Sequence, residues 1–240
     1  MSDQDDLSST EDPTASEPAF KRVKRGSLAR QVAAILRDSI VRGDLKAGER
    51  LVEMEIAQQM GTSQAPVREA LQRLELDGLV ERKSRTATYV SDISLDEMYE
   101  IALIRTTVEG LAIRHTAECI TPDQCNELEL LVQRMRQAAL ANNIAELTSY
   151  DLDFHRRICE WSGKKVLVRV WRPLYYQWQR LLIATHPYAF TDLTEVADLH
   201  QELVEVLKKK DVDGAQRLMT RHILFMWEQN RIDPDILDIS

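Results

Sequence analysis

The chain has 240 residues, 44% of them hydrophobic, a formal net charge of -8 and a mean hydropathy of -0.34. That length has room for two modest domains with real cores. No apolar run is long enough for a membrane span or a signal segment, so a cytoplasmic address and no membrane partner are expected. Cys119, Cys125 and Cys159 have neither zinc-ribbon nor redox spacing and read as reduced thiols. Overall acidity argues against a nucleic-acid binder until the chain is divided. Residues 1–20 hold six acids and no Lys or Arg, residues 21–92 hold fourteen basic and ten acidic residues, and residues 93–240 hold seventeen and twenty-three. Positive charge is thus concentrated in the second stretch, as phosphate contact requires.

Residues 1–20, rich in Ser, Asp, Glu, Thr and Pro, have little to bury and are expected to be disordered. Lys21, Arg22, Lys24 and Arg25 follow as a basic arm, either solvated or touching backbone phosphate or the minor groove. Leu28 to Arg42 reads as a helix with Val32, Ile35, Leu36 and Ile40 on one face, ended by Gly43-Asp44. Met54, Ile56, Ala57 and Met60 make a short amphipathic helix that stops at Gly61. In the next helix Ser63 is the expected N-cap, and Pro66 is tolerable because the first turn needs no N–H there. Val67, Leu71 and Leu74 form its apolar stripe, while Gln64, Arg68, Gln72 and Arg73 present donors on the other face. Two helices joined by so short a turn make a helix-turn-helix. Leu79-Val80 and Thr88-Tyr89-Val90 then read as two short strands of a wing, joined by a basic turn from Arg82 to Thr86.

Ser94-Leu95-Asp96-Glu97 is a capping box that opens a long helix carrying Met98, Ile101, Ile104, Val108 and Leu111 at helical intervals. Thr121-Pro122-Asp123-Gln124 is a second start signal. Further helices are expected at 144–161, 165–184, 192–209 and 211–231, with Gly163, His186-Pro187 and the 210–211 junction as breaks. The expected fold is mainly α. An acidic tail (1–20) precedes an N-terminal winged helix-turn-helix (21–92) and a C-terminal all-α antiparallel bundle of six helices (93–240).

Leu147, Asp151, Phe154, His155 and Ile158 share one face of the 144–161 helix, so a carboxylate and an imidazole lie one turn apart in an apolar stripe. His200 lies beside Leu199, Leu203 and Leu207, and His222 beside Leu218, Phe225 and Met226. Each histidine alone reads as a hydrogen-bonded core residue. Together with Asp151 they offer three nitrogens and one oxygen, a set suited to zinc or another divalent first-row metal with a position left for a ligand. His115 and His186 lack such company and are read as structural or surface residues, and Trp161, Trp171, Trp178 and Trp227 as core.

Two resemblances follow from these blocks. Gly43 to Leu51, Glu55-Ile56-Ala57, Pro66 to Leu71, and Leu74-Glu75 with Gly78-Leu79-Val80 resemble the winged-helix domain of the GntR family of bacterial transcription regulators. The chain departs from that pattern at Val52, where a polar N-cap is usual, at Gln64, where Arg is common, and at the wing tip, where Thr86-Ala87-Thr88 replaces a glycine. Arg68 matches the family's DNA-contacting arginine, and Gln64 is fitted to read adenine. With Ala65, Arg73 and the wing residues Lys83 and Arg85 they form the implied DNA-binding set.

Arg105 with Glu109, Asp151 with Phe154 and His155, and then His200 and His222 resemble the effector-binding FCD domain of the FadR branch, in its six-helix, VanR-like form. In metal-binding members the matching positions hold a divalent cation, so the resemblance implies a metal at Asp151, His155, His200 and His222: zinc first, nickel or manganese next. It also implies a small organic-acid effector, with Arg105 as carboxylate anchor or, equally, as an ion pair with Glu109. Arg157, Arg172 and Arg180 are further candidates to reach the pocket. The implied protein is a homodimeric repressor on a palindromic double-stranded DNA operator, not an enzyme. The rivals are a metal-dependent enzyme, which would need a general base that no suitable motif supplies, and a metal-free or metal-sensing regulator.

Overall fold

The structure, a computed structural model, describes residues 27–84, 87–92 and 94–230, with the side chains of residues 27, 84 and 230 left aside. The expected acidic tail, the basic arm at 21–25 and Arg85 lie outside the described residues. Among the described residues the winged-helix region comprises α1 (Ser27–Val41), β1 (Arg50–Leu51), α2 (Glu53–Gln59), α3 (Gln64–Leu76), β2 (Val80–Ser84) and β3 (Ala87–Val90). The bundle comprises α4 (Leu95–Cys119), α5 (Pro122–Leu140), α6 (Ile144–Trp161), α7 (Lys165–Ala189), α8 (Thr194–Lys208) and α9 (Val212–Asn230).

The first region closes around Val32, Leu36, Ile40, Val67, Leu71 and Leu74, which pack into one apolar cluster with Leu79 and with Val80 and Val90 of the sheet. The three strands are antiparallel in the order β1-β3-β2, with Arg50 opposite Tyr89 and Val80 opposite Val90. Two expectations change here. Ile35 is exposed, because the buried stripe of α1 runs through Ala29, Val32, Ala33, Leu36 and Ile40 instead. Arg82 and Lys83 lie inside β2 rather than in the turn, since pairing with β3 continues, through a register shift, to Ser84 opposite Ala87. Ser63 precedes α3 in extended backbone without making a side-chain cap.

Both start signals in the bundle form capping boxes. Glu97 N–H donates to Ser94 Oγ while Ser94 N–H donates to Glu97, and Thr121 and Gln124 exchange the same pair of bonds. On α4, Met98, Ile101 and Val108 face inward as expected, but Ile104 and Leu111 are exposed with Tyr99 and Leu103. The inward stripe instead takes up Ala102, Arg105, Glu109, Ala112 and Ile113, so this helix carries a buried charge pair into the bundle. The helix α7 does not stop at Ala184 but continues through His186-Pro187 to Ala189. Pro187 removes one backbone bond near the helix end, and the burial of Thr185 and His186, with Phe190 edge-on to the His186 ring at 5.4 Å, favours the extra turn. No helix among the described residues is long and apolar enough to cross a membrane.

Candidate metal centre and DNA-binding surface

Three helices bring His155, His200 and His222 together, with a donor atom from each lying within 4.8 Å of the others. All three are buried, and Phe154 stands edge-on to His200 with ring centroids 4.9 Å apart. Asp151 is buried one turn before His155, with Oδ2 3.4 Å from His200 Nε2; it flanks the His200 side without joining the tight trio.

The outer nitrogens of two rings are committed. His200 Nδ1 lies 2.7 Å from the Val196 carbonyl, which only accepts, so Nδ1 carries the hydrogen. His155 Nδ1 donates in the same way to Glu109 Oε2 at 2.5 Å. In the neutral rings both Nε2 atoms are therefore bare lone pairs, and they face each other at 3.3 Å. His222 adds two ring nitrogens with no hydrogen-bond partner. Burial, only partly opposed by Asp151, lowers the His200 pKa to about 4. Burial together with the neighbouring imidazoles holds His222 well below the ordinary histidine range. Lone pairs converging in a place that disfavours protonation fit a cation, and two donors about 2.1 Å from one ion stand about 3.0–3.4 Å apart.

Glu109 anchors the other side of His155. It is fully buried and accepts from Arg105 Nε at 2.6 Å and from Trp171 Nε1 at 2.7 Å, besides His155. Burial pushes its carboxyl upward, but the Arg105 charge, with the hydrogen bonds from His155 and Arg105, outweighs that and holds it at about 2. Arg105 is itself buried and stacks over Trp178 at 4.5 Å. The sequence disclosed Arg105 and Glu109 as an i,i+4 pair; that the carboxylate also orients a histidine 46 residues away was not readable, because only helix packing sets it. Arg157 pairs with Glu127 at the surface, Arg172 lines a cleft between the domains, and Arg180 donates to the Ser91 carbonyl, so all three serve outside the histidine centre. His186 is buried rather than a surface residue, and His115 is half-buried beside Glu118.

The helix α7 links this centre to the winged helix. Its bundle side carries Trp171 and Trp178; its other side carries Tyr176, Gln177 and Arg180. Arg37 stacks on Tyr176 at 4.2 Å and pairs with Asp77 at 2.9 Å, and Gln177 donates to the Asp77 carbonyl at 3.3 Å. Asp77 caps the C-terminal end of α3, so the bundle grips α3 at its far end. Gly78, at φ +69°, lets Gln177 approach: a Cβ there would lie 1.9 Å from Nε2.

At the near end of α3, Gln64, Ala65 and Arg68 are exposed, as is Lys83 on β2. Arg68 is held by Glu53 of α2, with Nη2 to Oε2 at 2.7 Å. Lys83 pairs with Glu81 at 2.8 Å. Arg73 departs from this group, because it lies toward the other end of α3 and lines the cleft against α7.

Residues 28–90 match the family described as bacterial regulatory proteins, gntR family, and residues 97–225 match the FCD domain. A relative named "Probable D-xylose utilization operon transcriptional repressor" from Paenarthrobacter nicotinovorans is 29% identical over 85% of this chain and 88% of its own. The HTH-type transcriptional regulator McbR of Escherichia coli is 28% identical over 88% of this chain and 98% of its own. The solved structure of E. coli McbR/YncC superposes with a TM-score of 0.70, at 26% identity, over 83% of this chain and 95% of that one. With the FCD domain spanning more than half of its length behind a GntR helix-turn-helix, this protein belongs to the GntR family of bacterial DNA-binding transcription regulators, a family of regulators and not of enzymes.

Proposed function

We propose that this chain is a homodimeric, ligand-responsive repressor whose bundle holds a divalent metal at Asp151, His155, His200 and His222. One observation carries the metal reading: two Nε2 lone pairs 3.3 Å apart, each with its Nδ1 already committed, beside a third imidazole without hydrogen-bond partners. Zinc suits this donor set best, with nickel and manganese next. When bound, the ion supplies a positive charge and an open coordination position for a small carboxylate. Glu109 and the Val196 carbonyl fix the tautomers and ring directions of His155 and His200, the outer support that metal-binding histidines require. Arg105 uses Nε for Glu109, and its terminal nitrogens are the cationic groups offered to the effector carboxylate.

On the DNA side, Gln64, Ala65 and Arg68 enter the major groove of a palindromic operator, and Lys83 and Arg85 of the wing meet phosphates. Glu53 orients Arg68 and has to yield or share it when a phosphate or base edge arrives. The effector acts by favouring one placement of the winged helix over another, through α7 and its grip on Asp77. The domains divide between the winged helix, ending near residue 92, and the bundle after it.

The test is metal content by mass spectrometry on natively purified wild type and His200→Ala. About one equivalent of zinc, nickel or manganese in the wild type, largely lost in the variant, is expected. No metal in either after reloading, or equal metal in both, overturns the metal reading and leaves the family assignment intact.

A further inference from the structure

Away from the histidine centre, a cavity of about 350 Å³ lies between the winged helix and the bundle. Its apolar walls come from Ile40 and Leu45 on the winged-helix side and Met98, Leu181 and Ala184 on the bundle side, with Gln177 and Tyr188 adding polar groups. Three cations and one acid, Asp92, border it. Arg42 is taken up by Asp44. Lys46 and Arg180 are the cations left to a guest.

Arg180 is set into the wall rather than the rim. One terminal nitrogen donates to the Ser91 carbonyl at 2.5 Å, in the segment that joins the domains, and the side chain is half-buried. Burial lowers the guanidinium pKa, with Asp92 opposing. A half-buried guanidinium has five donors, and a single carbonyl leaves most of them to be satisfied. A half-open cleft with apolar walls and two converging cations at a domain boundary is what a small-molecule site looks like, and this volume is at the small end of such sites.

We propose that this inter-domain cavity binds a small amphipathic monocarboxylate, its carboxylate on Arg180 and its apolar part between Leu45 and Leu181. The site is separate from the metal centre and does not depend on it. A guest here touches α1, the linker and α7 at once. It therefore binds only the arrangement in which winged helix and bundle are apposed as they are here, and by linkage it favours that arrangement.

The test is calorimetric titration of full-length protein with 3-phenylpropionate and with its neutral amide, using wild type, Arg180→Gln, Ala184→Phe and His200→Ala. A saturable site is expected in His200→Ala, where the metal centre's carboxylate position is removed, and the same site in wild type. The acid should bind about tenfold more weakly to Arg180→Gln, as for loss of a charged hydrogen-bonding partner. The amide should be weaker by a similar factor in wild type, and Ala184→Phe, which fills the cavity while leaving Arg180 in place, should abolish binding. No saturable binding to wild type overturns the proposal. So does binding that vanishes in His200→Ala but survives in Arg180→Gln and Ala184→Phe, since the acid would then sit in the bundle.

Discussion

Replacing Glu109 by glutamine keeps the outline of the side chain and removes its charge, leaving Arg105 buried without its counter-ion and His155 Nδ1 without a carboxylate. The carboxyl is held at about 2 against an ordinary 4.5. At about 1.4 kcal/mol per pKa unit, that is about 3 kcal/mol of folding stability at neutral pH. The group is fully buried, so solvent screening does not reduce it. An independent expectation agrees: removing one partner of a buried ion pair costs about 3–5 kcal/mol. All four tryptophans lie between residues 161 and 227, so urea unfolding followed by tryptophan fluorescence reports on the bundle. At pH 7, with chelator present, the Glu109→Gln midpoint should fall by the equivalent of about 3 kcal/mol. Adding Arg105→Met should restore part of that loss, because the stranded guanidinium goes with it. A single-variant loss below about 1 kcal/mol would refute the view that this carboxylate holds the centre together.

The metal-free bundle should lose stability in acid in two windows. His200 and His222 have folded pKa values below the ordinary 6.5, so the unfolded chain binds more protons and stability falls as pH drops from 6.5 toward 4, by about 2 kcal/mol or more. The Glu109 contribution is lost below that, between 4.5 and about 2. A flat urea midpoint from pH 7 to 4.5 would contradict this. Gly78→Ala should cost about 1 kcal/mol from its φ of +69°. It should also displace Gln177, and adding Gln177→Ala recovers only the displacement; thermal unfolding measures both. Arg68→Ala should weaken binding to fragmented genomic DNA and reduce the salt slope by about one. Glu53→Gln, which frees that guanidinium, should strengthen the same binding; an unchanged slope in Arg68→Ala would remove this residue from the interface.

Local chemistry made much of this protein legible in residue order alone. Ser94 with Glu97 and Thr121 with Gln124 specify helix starts within four residues, and both capping boxes form. Spacing alone turned His155, His200 and His222 inward on their helices, because helical period is a property of each segment. Periodicity was least dependable where a helix has two apolar edges, and so Ile35, Ile104 and Leu111 are exposed. What no segment encodes is which face meets which. Tertiary packing chose Glu109 as the partner of His155 and set Asp151 to one side of the trio. It also carried α7 past Pro187, drew Arg73 toward the cleft, and placed Arg180 beside a cavity instead of the metal centre. Residue order thus set where helices start and which side chains turn inward on each; the geometry among those side chains came from how the helices pack, since contacts between residues far apart in the chain depend on every interface between them.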